Sequence, residues 1–462
     1  MPAVASASVF QLQPRQRPFQ EAVDAYRGAR AAECLTLLHG HQGLAADLLL
    51  ARAALRVGHP ELGLERLVAI DDAALLSNRA RTEVLTLRAA LCIRLRQFDF
   101  AQASLDLAHI YALGAACAPV EAEYHFYVAC LAFALEELDA ADRAAVKALS
   151  IERWVFDSAK AFVPLALSRA RSLNVRGFIA ATRQQYRDQL GFVREAIAEA
   201  AKAETPDLWI TATQWQLLAV HVRDFDLAAD AQTLRAVACE TWPAELDSQK
   251  FEIHRALGWS SALRGDHLNA FREFRSMSGF ATSDAWKILA AVERAYLSRE
   301  LGETVRARDD IEYASKLADR IDWNAMSEER IGLAQLAQEV AAFDPARAGK
   351  LLDRYRAIKA KLPPLTLNSV DRRARAYECL AEGTVLRANR SIPAAVERFR
   401  EAFEIFDSVG YRWRAATAAL PLAELFQRPL EVEYVRREAA ARPNSWLERR
   451  AAILCTHDAL ND

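Results

Sequence analysis

The sequence predicts an all-α protein assembled from antiparallel helix pairs, and three observations support that fold class. Apolar residues recur at i, i+3, i+4 and i+7 along almost the whole chain, as in EVLTLRAALCIRLR and AYECLAEGTVLRA. Alternating β-branched runs bounded by glycine-rich turns, which are typical of strands, are absent. Glycine and proline number only 16 and 15 in 462 residues, and most of them lie at expected helix ends.

One unit recurs along the chain: a helix, a short turn, and a second helix that opens with a small residue. The turns read RVGHPELG, RQFDFAQA, EELDAADR, VRDFDLAA, LRGDHLNA, ELGETVRA, AFDPARAG and ANRSIPAA. Their small residues lie roughly 40 residues apart, which is a period typical of helical repeats; they are Gly63, Ala101, Ala141, Ala228, Ala270, Ala307, Ala348 and Ala395. The double gap after Ala141 leaves room for one degenerate repeat, with helices near 157–172 and 178–202.

The repeats predict the domain organisation as well. A single helix pair cannot bury its own apolar stripe, so neighbouring pairs must stack and share a core. We therefore expect a right-handed α-solenoid of about nine or ten repeats over residues 19–426, preceded by a flexible tail over residues 1–18. Residues 427–462 are expected to form C-terminal capping helices, near 429–440 and 444–455, after Pro421 has kinked the preceding helix.

Two of the repeats carry a recognisable motif. Leu257 and Gly258 are followed by Ala270 and Phe274, and Gly383 is followed by Ala395 and Phe399. The pattern resembles the Leu-Gly and Ala-x3-Phe places of the tetratricopeptide repeat (TPR), although a period near 40 exceeds the usual 34.

The longer helices resemble the sensor regions of bacterial maltose-regulator and LuxR-like activators, without their DNA-binding domain. Because the helix pairs must stack and share a core, we expect Gly258 to be a packing residue. The paired helices would approach closely there, with Ala270 facing the glycine and Phe274 filling the space toward the next repeat. On this interpretation Gly258→Leu destabilises the protein, whereas Gly258→Ala has only a small effect on stability.

The overall composition of the chain disfavours some kinds of binding partner. The chain has 59 basic and 61 acidic residues, a net charge of −2, which disfavours direct binding of nucleic acid. No apolar run approaches the roughly 18 residues of a membrane span, and the N-terminus lacks the pattern of a signal peptide. The seven cysteines are scattered and without metal-site spacing, as expected in a reducing compartment. We expect a cytoplasmic protein that does not bind membranes.

The chain shows no catalytic motif, and we expect neither enzymatic activity nor a cofactor. Cys34, His39 and His41 form the nearest approach to a metal cluster, but they lack a second ligand pair, so a structural loop is the better interpretation. His125 and His254 lie on first helices and are interpreted as core histidines.

A binding face is therefore the predicted functional site. The register of the repeats places aromatic and arginine residues, the types enriched at binding hot spots, on the first helices where they would line a concave groove. The predicted partner-binding residues are Phe126, Phe133, Arg255, Trp259, Tyr296, Arg299, Tyr377 and Arg387. The sequence gives little support to a groove in which asparagines hold a peptide backbone, because it places four candidate asparagines at turns or helix ends: Asn174, Asn269, Asn324 and Asn389.

Two functions remain open at this stage. The first is a scaffold or adaptor whose groove holds a helix or an extended peptide segment of a partner protein. The alternative is a regulatory module that responds to a peptide or another ligand by changing its superhelical pitch. An arginine-rich stretch over residues 372–450 is a second candidate surface, although its interspersed acidic residues favour a solvated face. The oligomeric state is left open.

Overall fold

The computed structural model describes residues 17–70, 77–112, 114–151, 163–321, 330–361, 369–426 and 429–458. Within these ranges every regular element is helical, with 23 α-helices, one short 3-10 turn and no strand. Consecutive helices pack as antiparallel pairs, for example α5 (Asn78–Arg94) with α6 (Phe98–Ala112). The predicted all-α fold of stacked helix pairs is confirmed.

The chain divides into two compact units. Unit 1 comprises Met1–Ile179, Gly191–Gln214 and Pro243–Leu246. Its helices, the last three of them shared with unit 2, are α1 (Arg17–Arg27), α2 (Ala31–Leu37), α3 (Leu44–Val57), α4 (Pro60–Val68), α5, α6, α7 (Ala118–Ala134), α8 (Leu138–Ser150), α9 (Leu165–Thr182), α10 (Tyr186–Ala200) and α11 (Leu208–Phe225).

Unit 2 comprises Ala180–Leu190, Trp215–Trp242 and Asp247–Asp462. Its own helices are α12 (Ala228–Ala238), α13 (Asp247–Ala262), α14 (His267–Gly279), α15 (Asp284–Glu300), α16 (Thr304–Ala318), α17 (Arg330–Ala341), α18 (Pro345–Lys361), α19 (Ser369–Ala388), α20 (Ile392–Ser408), α21 (Arg412–Phe426), α22 (Pro429–Ala440) and α23 (Trp446–Asp458). A 3-10 turn at Ala244–Leu246 lies in unit 1.

Eight turns inside the helix pairs share one backbone feature, a residue with positive φ just after the first helix, whereas the turn between α17 and α18 lacks it. These residues are Gly58, Arg96, Glu136, Gln184, Asp226, Gly265, Gly302 and Arg390. A left-handed residue at this place satisfies the last carbonyls of the first helix. Gln184 lies in the double gap of the sequence pattern and joins α9 to α10. The degenerate repeat is therefore present, with its helices at 165–182 and 186–200, while residues 152–162 lie outside the described ranges.

Stability should depend on which residue occupies these turns. Glu136 has φ +66°, in the left-handed region that residues with a side chain disfavour. Gly302 has φ +82° and open space where a Cβ would lie. We expect Glu136→Gly to raise the free energy of unfolding by about 1 kcal/mol and Gly302→Ala to lower it by a similar amount. Urea unfolding of both variants measures the effect, and two changes of the same sign would contradict it.

Gly258 allows close packing, but against a different side chain from the one expected. A Cβ built on Gly258 would lie 2.3 Å from Cε1 of Phe274, and one on Gly383 would lie 2.6 Å from Cε1 of Phe399. The phenylalanine of the second helix therefore rests directly on the glycine of the first. The expectation that Phe274 fills the space toward the next repeat is wrong, because its ring occupies the volume that a side chain at position 258 would need.

The C-terminal helices lie where the sequence predicts them. Helix α21 continues through Pro421, and α22 and α23 follow at 429–440 and 446–458. Both belong to unit 2. Trp446 and Leu447 at the start of α23 are fully buried in the same apolar cluster as Trp259 and Tyr296. The end of the chain is thus part of the core of unit 2 and not only a polar cap. Of the predicted tail, only residues 17 and 18 fall within the described ranges.

Candidate interaction site

The eight predicted groove residues divide into two groups by exposure. Five of them are at most 8% exposed, namely Phe126, Arg255, Trp259, Tyr296 and Tyr377. Phe133, Arg299 and Arg387 are partly exposed. A buried side chain cannot contact a partner in this conformation, so the first five act as packing residues here. The reason is that the inward faces of the first helices contact one another instead of facing solvent.

In unit 2 these contacts converge on Glu293 of α15. Its Oε1 accepts a 2.8 Å hydrogen bond from Nε of Arg255, and its Oε2 accepts one of 2.8 Å from Nε1 of Trp259. Arg414 of α21 donates a longer bond of 3.5 Å. Burial alone raises the pKa of the Glu293 carboxyl, but Arg255, Arg414 and Arg223 outweigh it and hold that pKa below its ordinary value. Glu293 is therefore ionised at neutral pH.

Arg414 fills the space between the first helices of unit 2. Its guanidinium carbon lies 4.0 Å from the ring centroid of Trp413, 4.6 Å from that of Trp259, 5.5 Å from that of Tyr296 and 5.3 Å from that of Tyr377. These distances are in the range of cation–π contacts. Helix α21 thus covers the inward faces of α13, α15 and α19, and three of the predicted groove residues contact a side chain of their own unit.

The remaining predicted residues of unit 2 also have partners within it. Arg299 donates hydrogen bonds of 2.9 Å to Glu339 and 2.7 Å to Glu300. Arg387 forms an ion pair of 3.7 Å with Glu424. Both arginines are therefore already paired with carboxylates, which lowers the gain that a partner could obtain from them.

Unit 1 contains a second buried ionic cluster, centred on Glu123 of α7. Both terminal nitrogens of Arg52 donate to its carboxylate, at 2.5 and 2.6 Å, in the forked geometry typical of arginine. Arg171 of α9 adds a longer bond of 3.3 Å to Oε1. Burial raises the pKa of the Glu123 carboxyl, but the two arginines outweigh it and lower the net value. One carboxylate therefore serves two guanidinium groups.

Arg171 belongs to a face that is partly open to solvent. Its side chain is 20% exposed, donates a 2.8 Å hydrogen bond to the hydroxyl of Tyr127, and lies 4.0 Å over the ring of Phe126. Two turns further along α9, Phe178 is 43% exposed and lies 6.3 Å, centroid to centroid, from Phe133 of α7.

We call this partly open face the inner stripe. It consists of Tyr127, Cys130 and Phe133 of α7 and Arg171, Asn174 and Phe178 of α9. The sequence analysis included Phe133 and missed the three residues on α9.

Asn174 was missed because it was placed at a turn or helix end, and that placement is wrong. It lies in the middle of α9, three residues after Arg171 and four before Phe178, so the three share one helix face. It is 9% exposed, and its Oδ1 has no hydrogen-bond partner. Asn324 lies outside the described residues.

The two first-helix histidines, His125 and His254, are packed against neighbouring side chains. His254 makes a 2.7 Å contact with Glu273 and stacks on Phe280. Burial lowers the pKa of His125 to about 4, and the nearby Lys147 and His109 contribute to the shift. No cluster of three or more His, Cys, Asp or Glu side chains among the described residues could bind a metal ion. None of the described helices is both long and apolar enough to cross a membrane.

The helix pairs, the αL turns and the Gly–Phe contacts together define an α-helical repeat protein built from stacked helix pairs. No protein-family model and no curated protein matches the chain. Among solved structures it is similar to the apo form of RapI, at 12% identity and a TM-score of 0.47, covering 75% of this chain and 96% of that one.

The chain is also similar to a monomeric mutant of IFIT1 with Gppp-AAAA, at 14% identity and a TM-score of 0.46, covering 96% of each chain. A third similarity is to Cut9–Hcn1 of the APC/C, at 12% identity and a TM-score of 0.32, again covering 96% of each chain. Because these scores and identities are low, the similarities carry no argument about what this chain binds.

Proposed function

We propose that this chain is a binding scaffold whose unit 1 holds a segment of a partner protein on the inner stripe. The observation that supports the proposal is the group of partly exposed side chains on one face, with Arg171 and Phe178 on α9 and Phe133 of α7 beside Phe178. Aromatic and arginine side chains dominate the energy of protein interfaces.

The proposed role is binding without catalysis, in the cytoplasm. Free thiols at Cys34, Cys92, Cys130 and Cys379 support a reducing compartment. The near balance of charge supports a protein partner in preference to nucleic acid. The absence of catalytic motifs in the sequence supports the non-enzymatic role.

The proposal predicts that partner binding depends on the aromatic pair of the inner stripe. We expect the double substitution Phe133→Ala with Phe178→Ala to weaken binding at least tenfold, because truncating an interface hot spot costs about 2 kcal/mol or more. The partner is first identified by crosslinking in the source cell, and its dissociation constant is then measured with purified protein.

Phe100→Ala provides the matched control for this measurement. Phe100 is also in unit 1 and is 69% exposed, but it lies on the second helix α6. We expect its loss to leave binding unchanged. If the Phe133/Phe178 double variant keeps full affinity while its melting temperature is unchanged, the inner stripe is not the binding face.

The resemblance to the sensor regions of maltose-regulator and LuxR-like activators supports an alternative hypothesis, in which the inner stripe is the ligand-binding face of a sensor. A sensor would bind a free peptide or another small ligand and be stabilised by it, because binding to the folded form alone raises the melting temperature. A thermal-shift screen with wild type and the Phe133/Phe178 double variant therefore distinguishes a sensor from an adaptor.

A further inference from the structure

Helix α6 in unit 1 exposes a row of apolar side chains to solvent. Phe100, Leu107 and Ile110 are 69%, 49% and 66% exposed, and Ala103 between them is also exposed. Large apolar side chains scattered singly over a surface are ordinary, but a contiguous group of them marks an interaction site. In the described parts of the chain, no other helix exposes three large apolar side chains.

The spacing of this row is that of a coiled-coil seam. Its members lie at i, i+3, i+7 and i+10, which are successive a and d positions of a heptad. We call Phe100, Ala103, Leu107 and Ile110 the α6 seam. Ten residues separate its ends, which corresponds to about 15 Å along the helix. A second helix of about three turns would therefore match its length.

The α6 seam lies on the side of the helix that faces away from the core of unit 1. The opposite side carries Ala101, Leu105, Ala108 and Ala112, which are buried in an apolar cluster shared with α5 and α7. Helix α6 is thus apolar on both sides, and a helix with this composition is usually covered on both. One side is covered within the unit, whereas the seam is uncovered by the described residues.

Acidic side chains border the α6 seam. Asp99 and Asp106 directly precede Phe100 and Leu107, at the g positions that flank a coiled-coil seam, and both aspartates are exposed. Asp106 accepts a 2.8 Å hydrogen bond from Gln102, and neither aspartate forms an ion pair within the described residues. Helix α6 itself contains no lysine or arginine. Because charges at g positions influence the choice of partner, this border favours a helix with basic flanks.

We propose that the α6 seam binds an amphipathic helix of a partner protein, with apolar residues at its a and d positions and lysine or arginine beside them. The apolar residues of that helix cover the seam, and its basic residues pair with Asp99 and Asp106. The site is independent of the inner stripe and takes a different partner. Phe100→Ala therefore stays neutral for binding at the inner stripe.

Two other occupants fit the apolar row but not its acidic border. In a pair of copies, both α6 helices would bring Asp99 and Asp106 to the seam, with no basic residue of α6 to meet them. Like charges brought together across an interface are unfavourable. A cytoplasmic membrane surface is negatively charged and would repel the same two aspartates. A basic helix is the occupant that suits both the row and its border.

The test measures the binding of a designed peptide to the full-length protein by fluorescence anisotropy. The peptide is an amphipathic helix of about three heptads with leucine at a and d and lysine at e and g, where like charges keep it from pairing with itself. One control peptide has glutamate in place of lysine, and another has the same composition in scrambled order. We expect the lysine peptide to bind at least tenfold more tightly than either control. Its advantage over the glutamate peptide should shrink with salt.

Variants of the protein assign this binding to the α6 seam. Phe100→Ser with Ile110→Ser should weaken binding at least tenfold. Asp99→Asn with Asp106→Asn should remove most of the preference for lysine over glutamate. Both pairs replace exposed side chains, so the melting temperature should change little. Val305→Ser is the matched control and should leave binding unchanged, because Val305 is 76% exposed on the second helix α16, outside the seam.

Several results of these measurements would overturn the proposal. If the scrambled or the glutamate peptide binds as tightly as the lysine peptide, the seam does not select a basic amphipathic helix. Equal losses of affinity in Val305→Ser and in the Phe100/Ile110 variant would mean that binding is not specific to the seam. A loss of affinity only in the Phe133/Phe178 variant would place the peptide on the inner stripe, so that the proposed function stands and this inference fails.

The other occupants are distinguished by their own measurements, and each would also overturn the proposal. A dimer of the wild type at sedimentation equilibrium that dissociates in the Phe100/Ile110 variant assigns the seam to a second copy. Binding to phosphatidylcholine vesicles that is lost in the same variant assigns it to a lipid surface. If the lysine peptide binds only after residues 1–16 are removed, the seam is covered by the N-terminal segment of the chain itself.

Discussion

Replacing Gly258 by alanine is expected to destabilise unit 2, although alanine is the better helix former by about 1 kcal/mol. The new Cβ would lie 2.3 Å from the ring of Phe274, which is fully buried and cannot swing away. Overpacking of this kind typically costs 1–3 kcal/mol, so we expect a net loss for alanine and a larger one, up to unfolding of the unit, for leucine. Urea unfolding measures both.

The structure offers a matched control and a rescue for this experiment. Gly349 lies inside α18 with nothing within 4 Å of a built Cβ, so Gly349→Ala should stabilise the protein by helix propensity alone. Adding Phe274→Leu to Gly258→Ala should recover part of the loss, since the smaller side chain leaves room for the methyl group. Equal effects of alanine at positions 258 and 349 would contradict the close contact. The expectation from sequence that alanine is mild at position 258 did not account for this ring.

Replacing Glu293 by glutamine is expected to lower the free energy of unfolding by about 3–5 kcal/mol at pH 7, the usual cost of breaking a buried ion pair. Glutamine keeps the size of the side chain but leaves Arg255 and Arg414 without their anion. Glu293 is 1% exposed, so water cannot replace the lost charge. Urea unfolding at pH 7 measures the effect. Glu312→Gln is the control, because Glu312 pairs with Arg347 at the surface, and it should change stability little.

The stabilisation that Glu293 provides should depend on pH, and the direction of that dependence can be predicted. The pKa of Glu293 in the folded protein lies below the ordinary value of 4.5, so ionisation favours the folded state. That contribution is fully present above about pH 4.5 and is lost as the pH falls through the lowered folded pKa. The difference in stability between wild type and Glu293→Gln should therefore be largest at neutral pH and shrink below pH 4.5. A constant difference down to pH 3 would contradict the role of the charge.

Local patterns in the sequence determined most of the fold. Helical periodicity, the small residue that opens each second helix, and the Gly-to-Phe spacing predicted the helix pairs, including the degenerate repeat and the two final helices. These features depend on residues within one or two turns of each other, so they can be read without knowing where the rest of the chain lies. The register of α9 was harder to predict, because its turn uses Gln184 in place of glycine, and Asn174 was misplaced as a result.

Which first-helix positions are accessible was decided only by the tertiary structure. The sequence places Trp259 and Phe133 at comparable inward positions of first helices, yet Trp259 is fully buried and Phe133 is partly exposed. Trp259 is covered by Arg414 and Trp413, which lie more than 150 residues further along the chain. Burial depends on such long-range packing, whereas periodicity reports only which side of a helix faces its neighbours. The sequence by itself therefore determined the repeats and their inward faces, and the folding of each unit determined which part of those faces stays open to a partner.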